Sequence, residues 1–194
     1  NAQAFGTKIS DAIKSVEAVN LKTLKIKSFS KKQCQFSLKS SIFKKNTPRG
    51  TGKDLIIISV VLNFTKQKSD EIKSKIKEYL KYRKTNHPID FPSAGSTFVN
   101  PEIYIKNKKL LDKYPELNEF NKKGIIASGY LIERSGLSGK KIGKAQISKK
   151  HANFIINLSG AKAKDVLSLI NLAKKKVKKN FGINLETEVQ CVGF

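Results

Sequence analysis

The chain has 194 residues, enough for one fair-sized domain or two small ones, and a formal net charge of +24. Only Arg49, Arg83 and Arg134 are arginines among its 39 Lys and Arg residues, and lysines spread along nearly the whole length. That pattern disfavours a nucleic-acid reader, which leans on arginine and aromatic platforms, and fits an anionic small-molecule substrate equally well.

Two isolated cysteines, Cys34 and Cys191, and two histidines, His87 and His151, form no CxxC or HxxxH pairing. Neither a zinc site nor a disulfide is expected, and a reducing cytoplasm is. The chain contains no methionine, so it is expected to be part of a longer product. Its first residues lack the charged-then-apolar pattern of a signal peptide. The longest apolar run, Leu55–Leu62, is broken by Ser59 and far too short to span a bilayer. A soluble protein is expected.

In chain order, "SDAIKSVEAV" from Ser10 opens on two capping residues and spaces Ile13 and Val16 for one face, predicting a short helix. "LKTLKIKSF" (21–29) and the dense β-branched "DLIIISVVLNF" (54–64) read as strands. "KKNTPRGTGK" between them carries Pro48, Gly50 and Gly52 and reads as an exposed connection. "SDEIKSKIKEYLKYRK" (69–84) places acids in its first turn and Ile72, Ile76, Tyr79 and Leu80 at helical spacing. Residues 85–101 are rich in Pro, Gly and Ser, marking a linker or a functional loop. A polar helical stretch (107–122) is broken at Pro115, and "IASGYLIERSGL" predicts a helix capped by Gly136. One or two strands come next in "KAQISKKHANFIINLSG", then a long helix with Val166, Leu169, Ile170, Ala173 and Val177 in one stripe, ending at Gly182. "INLETEVQCVGF" alternates as a closing strand, with Leu185, Thr187, Val189 and Cys191 on one face and Glu186, Glu188 and Gln190 on the other. Helices and strands interleave, so the fold class is α+β or α/β.

Taken in order, "PSAGSTFVNP", "LIERSGLSGKKIGKAQISKKHANFIIN", "AKDVLSLI" and "FGINLETEVQCVG" resemble the C-terminal part of the UDP-N-acetylenolpyruvoylglucosamine reductase family, flavoenzymes of peptidoglycan synthesis. "NAQAFG" and "CQFSLKSSIFK" resemble the second half of that family's flavin-binding domain. The resemblance implies a partial α+β FAD-binding domain over residues 1–84, followed by an α/β substrate-binding domain over 85–194. It implies a cytoplasmic oxidoreductase using FAD and NADPH, acting on a UDP-sugar enolpyruvyl ether. The family's glycine-rich pyrophosphate loops are not found, and "GTG" at 50–52 is a poor candidate in a lysine-rich turn. The missing N-terminal half of the same protein is therefore expected as a partner, and the chain alone is expected to be inactive.

On the same basis Ser96 matches the family's proton donor, in a loop whose small neighbours Ala94 and Gly95 admit a ligand; the bland alternative is a turn serine bonding its own backbone. Glu188 matches the glutamate that stabilises the enolic intermediate, and Glu186 is two residues away. Lys39 stands where the family has an arginine that meets the substrate carboxylate; it keeps the charge but loses the two-pronged donor. Asn1 and Phe5 fall in the flavin-binding stretch. Arg83, Asn100 and His151 fall where the family contacts the nucleotide substrate, while Ser138 replaces a frequent lysine. Residues 102–124 read as a surface insertion. Two alternatives stay open: a degenerate module that binds a UDP-sugar or polyanion without chemistry, and a nucleic-acid binder resting on charge alone.

Overall fold

A computed structural model describes residues 1–44 and 54–191, so the "KKNTPRGTGK" connection lies almost wholly outside the described residues. The chain divides into two compact units, Asn1–Tyr79 and Leu80–Phe194.

The first unit opens with a two-stranded hairpin, β1 (Gln3–Ala4) and β2 (Thr7–Lys8). Its two-residue turn is Phe5-Gly6, both at positive φ (49° and 77°), as the twist of a tight hairpin demands. A single helical turn, α1 (Ile9–Ala12), leads into β3 (Ile13–Asn20). Strands β4 (Ile26–Ser30) and β5 (Leu55–Leu62) flank β3 in an antiparallel sheet of order β4-β3-β5. The predicted helix over "SDAIKSVEAV" is therefore corrected to one turn followed by a strand. The register shift between Ile13 and Ser15, where β3 gains one residue against β5, explains the misreading. A bulge inserts one residue, so Ile13, Val16 and Ala18 share the buried face of a strand while mimicking helical spacing. Helix α2 (Ser69–Asn86) matches its predicted span, with Asp70 and Glu71 at its positive N-terminal end.

Five residues form the buried core around this sheet: Ile13, Val16, Ala18, Phe29 and Cys34. Burial pushes the Cys34 thiol above its ordinary range. By contrast Ile56, Ile57, Ile58, Val60, Val61 and Leu62 of β5 are each between 40% and 49% exposed. Both faces of the strand are open, although its sequence is that of a strand buried on both sides.

The second unit is a four-stranded antiparallel sheet, order β6-β9-β8-β7, with helices packed on it. Its strands are β6 (Ser93–Ser96), β7 (Lys141–Ile142), β8 (Ala145–Ile147) and β9 (Phe154–Asn157). Helices α3 (Lys108–Lys113) and α4 (Leu117–Lys123) flank Pro115, as predicted. They do not form a mere surface insertion: Ile105 and Leu117, 6% and 0% exposed, belong to the core. Helix α5 (Ser128–Arg134) ends in a Schellman turn in which Gly136 (φ 73°) donates to Glu133 O and Leu137 donates to Ile132 O. Helix α6 (Ala163–Phe181) ends at Gly182 in the left-handed region, and its apolar stripe enters the core through Leu169, Ile170, Ala173 and Val177.

The closing strand is corrected in part. Alternation holds at Ile183 and Leu185, both buried, but beyond them the segment makes one isolated bridge, Thr187 to Phe98, and Thr187 itself is exposed. With so short a partner, the periodicity predicted over "INLETEVQC" has no ladder to impose it.

Candidate active site

In the second unit the segment 96–99 is bonded on both of its edges. On one side Ser96 pairs with Phe154, and Thr97 N donates to Asn153 O at 2.7 Å. On the other, Glu188 N donates to Thr97 O at 2.9 Å and Val99 N donates to Glu186 O at 2.9 Å. Ser96 and Glu188, matched to one family from positions 92 residues apart in the chain, are thus held in adjoining backbone segments. Both side chains are half-buried.

Gly95, next to Ser96, has φ 82°, and a Cβ built there would meet nothing within 4 Å. Glycine is required at this position by backbone conformation, and the space above it is open to a ligand. Ser93 Oγ accepts from Gly95 N at 3.4 Å, a local bond of the kind expected of a turn serine, so that role falls to Ser93. Beneath the loop lies an apolar cavity of about 470 Å³, lined among others by Ala94, Thr97, Ile155, Val166, Ile170 and Val189.

Asn100 Oδ1 accepts from Ser128 N at 3.0 Å, and Ser128 Oγ donates to Val99 O at 2.7 Å. Asn100 therefore supplies the cap that α5 lacks from its own N-terminal residue, and ties the helix to the serine loop. His151 sits in a ring cluster with His87 (5.5 Å between centroids) and Phe154 (4.9 Å), and His87 meets Tyr82 edge-on at 6.0 Å. Burial holds the His151 imidazole below its ordinary pKa, and the neighbouring His87 charge adds to this against Glu133 and a backbone bond. His87 is lowered by burial first, then by Arg83 and Lys150. Arg83, in the last turn of α2, thus belongs to the electrostatic surroundings of the histidine pair. Nδ1 of His151 accepts from Asn153 N at 3.3 Å, leaving Nε2 as the protonated nitrogen of the neutral ring.

Sequence reasoning passed over two residues of this site. Asn153, 3% exposed, sits within "KKHANF" beside the His151 it singled out, and a buried amide was the missed signal. His87 was noted only for failing to pair with a metal.

In the first unit, Lys39 occupies a tight two-residue turn closed by Ser37 N donating to Ser40 O (3.0 Å) and Ser40 N donating to Ser37 O (3.2 Å). Its φ of 50° is unusual for a side chain of this size. Asn1 Nδ2 donates to Ser37 O at 2.9 Å and Asn1 Oδ1 accepts from Ser10 N at 3.2 Å, so Asn1 and the Lys39 turn are neighbours. Phe5 stacks on Tyr79 at 4.1 Å between ring centroids and 10° between planes. Among the described residues no group of three His, Cys, Asp or Glu is placed to hold a metal ion, and no helix is long and apolar enough to cross a membrane.

The family model for the UDP-N-acetylenolpyruvoylglucosamine reductase C-terminal domain matches residues 87–192. A reductase of that name from Syntrophomonas wolfei is 33% identical over 193 residues, covering 100% of this chain and 54% of that protein. One from Thermosipho melanesiensis is 38% identical over 190 residues, covering 98% and 55%. The crystal structure of the Thermus caldophilus reductase superposes with a TM-score of 0.67 at 26% identity, covering 98% of this chain and 56% of that one. The chain spans about half the length of the curated relatives it matches. Family model, whole-chain identity and fold agree, and the chain belongs to the UDP-N-acetylenolpyruvoylglucosamine reductase family.

Proposed function

We propose that this chain forms the latter part of a cytoplasmic flavoenzyme that reduces the enolpyruvyl ether of UDP-N-acetylglucosamine with NADPH, a step of peptidoglycan precursor synthesis. Residues 1–84 would contribute to an FAD-binding domain and residues 85–194 would bind the substrate. The observation that carries the reading is the hydrogen bond from Glu188 N to Thr97 O, which holds Glu188 beside the strand of Ser96.

The described residues fit part of a flavin site only. Asn1 and Phe5 would meet the cofactor, but no glycine-rich cradle for its phosphates occurs among the described residues. The open β5 strand agrees with this, since a partner domain from the same protein would cover it. A bound reduced flavin supplies the hydride for the distal carbon of the double bond.

The chain's own residues handle the resulting charge. Electron density accumulates on the neighbouring carbon and spreads into the carboxylate. The Ser96 hydroxyl donates its proton to that carbon, forming the new C–H bond. Glu188, held beside the serine strand, would stand next to the enolic intermediate and help to stabilise it. Lys39 stands in the sequence where the family has an arginine for the substrate carboxylate, and a lysine in that role would act as a point charge rather than a fork. Arg83, Asn100 and His151 would hold the nucleotide and diphosphate, His151 as a neutral ring at pH 7.

The test is made on the intact gene product: flavin absorbance, then NADPH oxidation with and without the enolpyruvyl substrate. Substrate-dependent oxidation, abolished in Ser96→Ala, is the expected result. Lys39 in place of arginine favours a second reading, a module that binds the UDP-sugar without turning it over. Saturable binding with no substrate-dependent oxidation would establish that reading. Steep salt-dependent binding to unrelated duplexes would point to nucleic acid instead.

A further inference from the structure

Asn153 is 3% exposed, and its whole side chain is bonded to backbone. Oδ1 accepts from Phe98 N at 2.9 Å, and Nδ2 donates to Phe98 O at 2.8 Å. The amide therefore imitates a strand partner, giving Phe98 both ladder bonds at a point where no neighbouring strand residue does. The backbone of Asn153 adds the bond from Thr97 N, and its own N–H reaches His151 Nδ1.

The regular sheet holds the serine poorly. β6 has a register shift between Ser93 and Ser96, and Gly95 within it lies at positive φ. Ordinary ladder bonds therefore do not fix the approach to Ser96. The two residues after Ser96 are fixed instead: Thr97 and Phe98 are bonded to Asn153 on one edge, and the backbone from Thr97 to Val99 is bonded to the Glu186–Glu188 segment on the other. We infer that Asn153 is a positioning residue, whose amide clamp on Phe98 sets where the Ser96 hydroxyl stands relative to Glu188. Among the described residues its side-chain amide is engaged by Phe98 alone. It acts through the backbone of residues 97 and 98, and it links that backbone to His151.

This inference rests on the reading of Ser96 as proton donor, so its test separates the two. In the intact gene product, Asn153→Asp preserves shape and the acceptor for Phe98 N but sets a carboxylate oxygen against Phe98 O. Asn153→Ser is too short to reach Phe98 and removes both bonds without setting a charge against Phe98 O. Three quantities are read: reduction of the bound flavin by NADPH, its reoxidation by the enolpyruvyl substrate, and amide hydrogen exchange over 96–99 and 186–189 in the protein without cofactor. The expected result is reoxidation slowed roughly 100-fold in Asn153→Asp and less in Asn153→Ser. Flavin reduction stays unchanged, and exchange quickens in both segments together. Reoxidation at the parent rate would overturn the inference, as would equal losses in both half-reactions, or failure of both variants to fold. Ser96→Ala is measured in parallel. If it leaves reoxidation untouched, the proton-donor reading itself fails; if it slows reoxidation while the Asn153 variants do not, only the clamp fails.

Discussion

Among the described residues, the second unit gathers eighteen buried apolar residues into one cluster, whereas the first gathers five and leaves a β-branched strand open on both faces. Both units are rich in Ile, Leu and Val, so composition does not make the difference. In the second, the stripe of α6 meets a sheet and the helices α4 and α5, and its large apolar side chains find partners there. In the first, β5 has one neighbour, β3, among the described residues. Apolar sequence records what a segment is built to bury; whether it is buried depends on the polypeptide that comes against it.

The contrast can be broken most forcefully by truncating equivalent positions. Leu169→Ala, at 0% exposure, is expected to destabilise the second unit by about 2–5 kcal/mol, while Ile58→Ala, 49% exposed, costs the first about 0.5 kcal/mol or less. Native-state hydrogen exchange reads each unit separately. Equal losses would mean that β5 is better supported than its exposure indicates. A larger loss for Ile58→Ala than for Leu169→Ala would reverse the comparison.

Gly95→Ala comes next. Nothing crowds the new methyl, so the cost is that of holding alanine at φ 82°, roughly 1–2 kcal/mol, measured by urea denaturation. An unchanged midpoint would show that the loop moves to a relaxed conformation.

A smaller effect comes from the histidine pair, which only the second unit has. His151 and His87 are held below their ordinary values, so the native state resists protons that the unfolded chain accepts. Their contribution is absent above about pH 6.5 and becomes destabilising as pH falls from there toward their native values. Melting temperature of the parent is expected to drop more than that of His151→Gln over this acidic range. Parallel curves would remove the pair from the account. The smallest effect belongs to the open strand: Ile57→Thr should leave the melting temperature nearly unchanged yet reduce binding of a hydrophobic dye.

How far residues announce structure differs in the same way. Helices α2 and α6 were legible because acids at one end, glycine or proline at the other and an unbroken apolar spacing all agree. β3 was not, because a bulge between Ile13 and Ser15 put its first buried residues, Ile13 and Val16, at a false helical spacing. The closing segment was half legible, since alternation describes Ile183 and Leu185 and then loses its partner. Motif order singled out Ser96 and Glu188 as candidates, but their adjacency was not legible: no local pattern states that Thr97 bonds to Glu188. Asn153 was hidden for the same reason, its two bonds reaching a residue 55 positions away.

The backbone bonds on either side of residues 97–99 also say where this protein can change length. A segment paired on both edges cannot gain or lose one residue without turning every side chain to the opposite face. The stretch from His87 to Phe91 carries no such double pairing. Insertions there would lengthen the approach to the serine and leave Ser96 where it is, whereas one extra residue after Thr97 would rotate Phe98 out of the core. Natural length variation should therefore accumulate before Pro92 and stop short at Ser96.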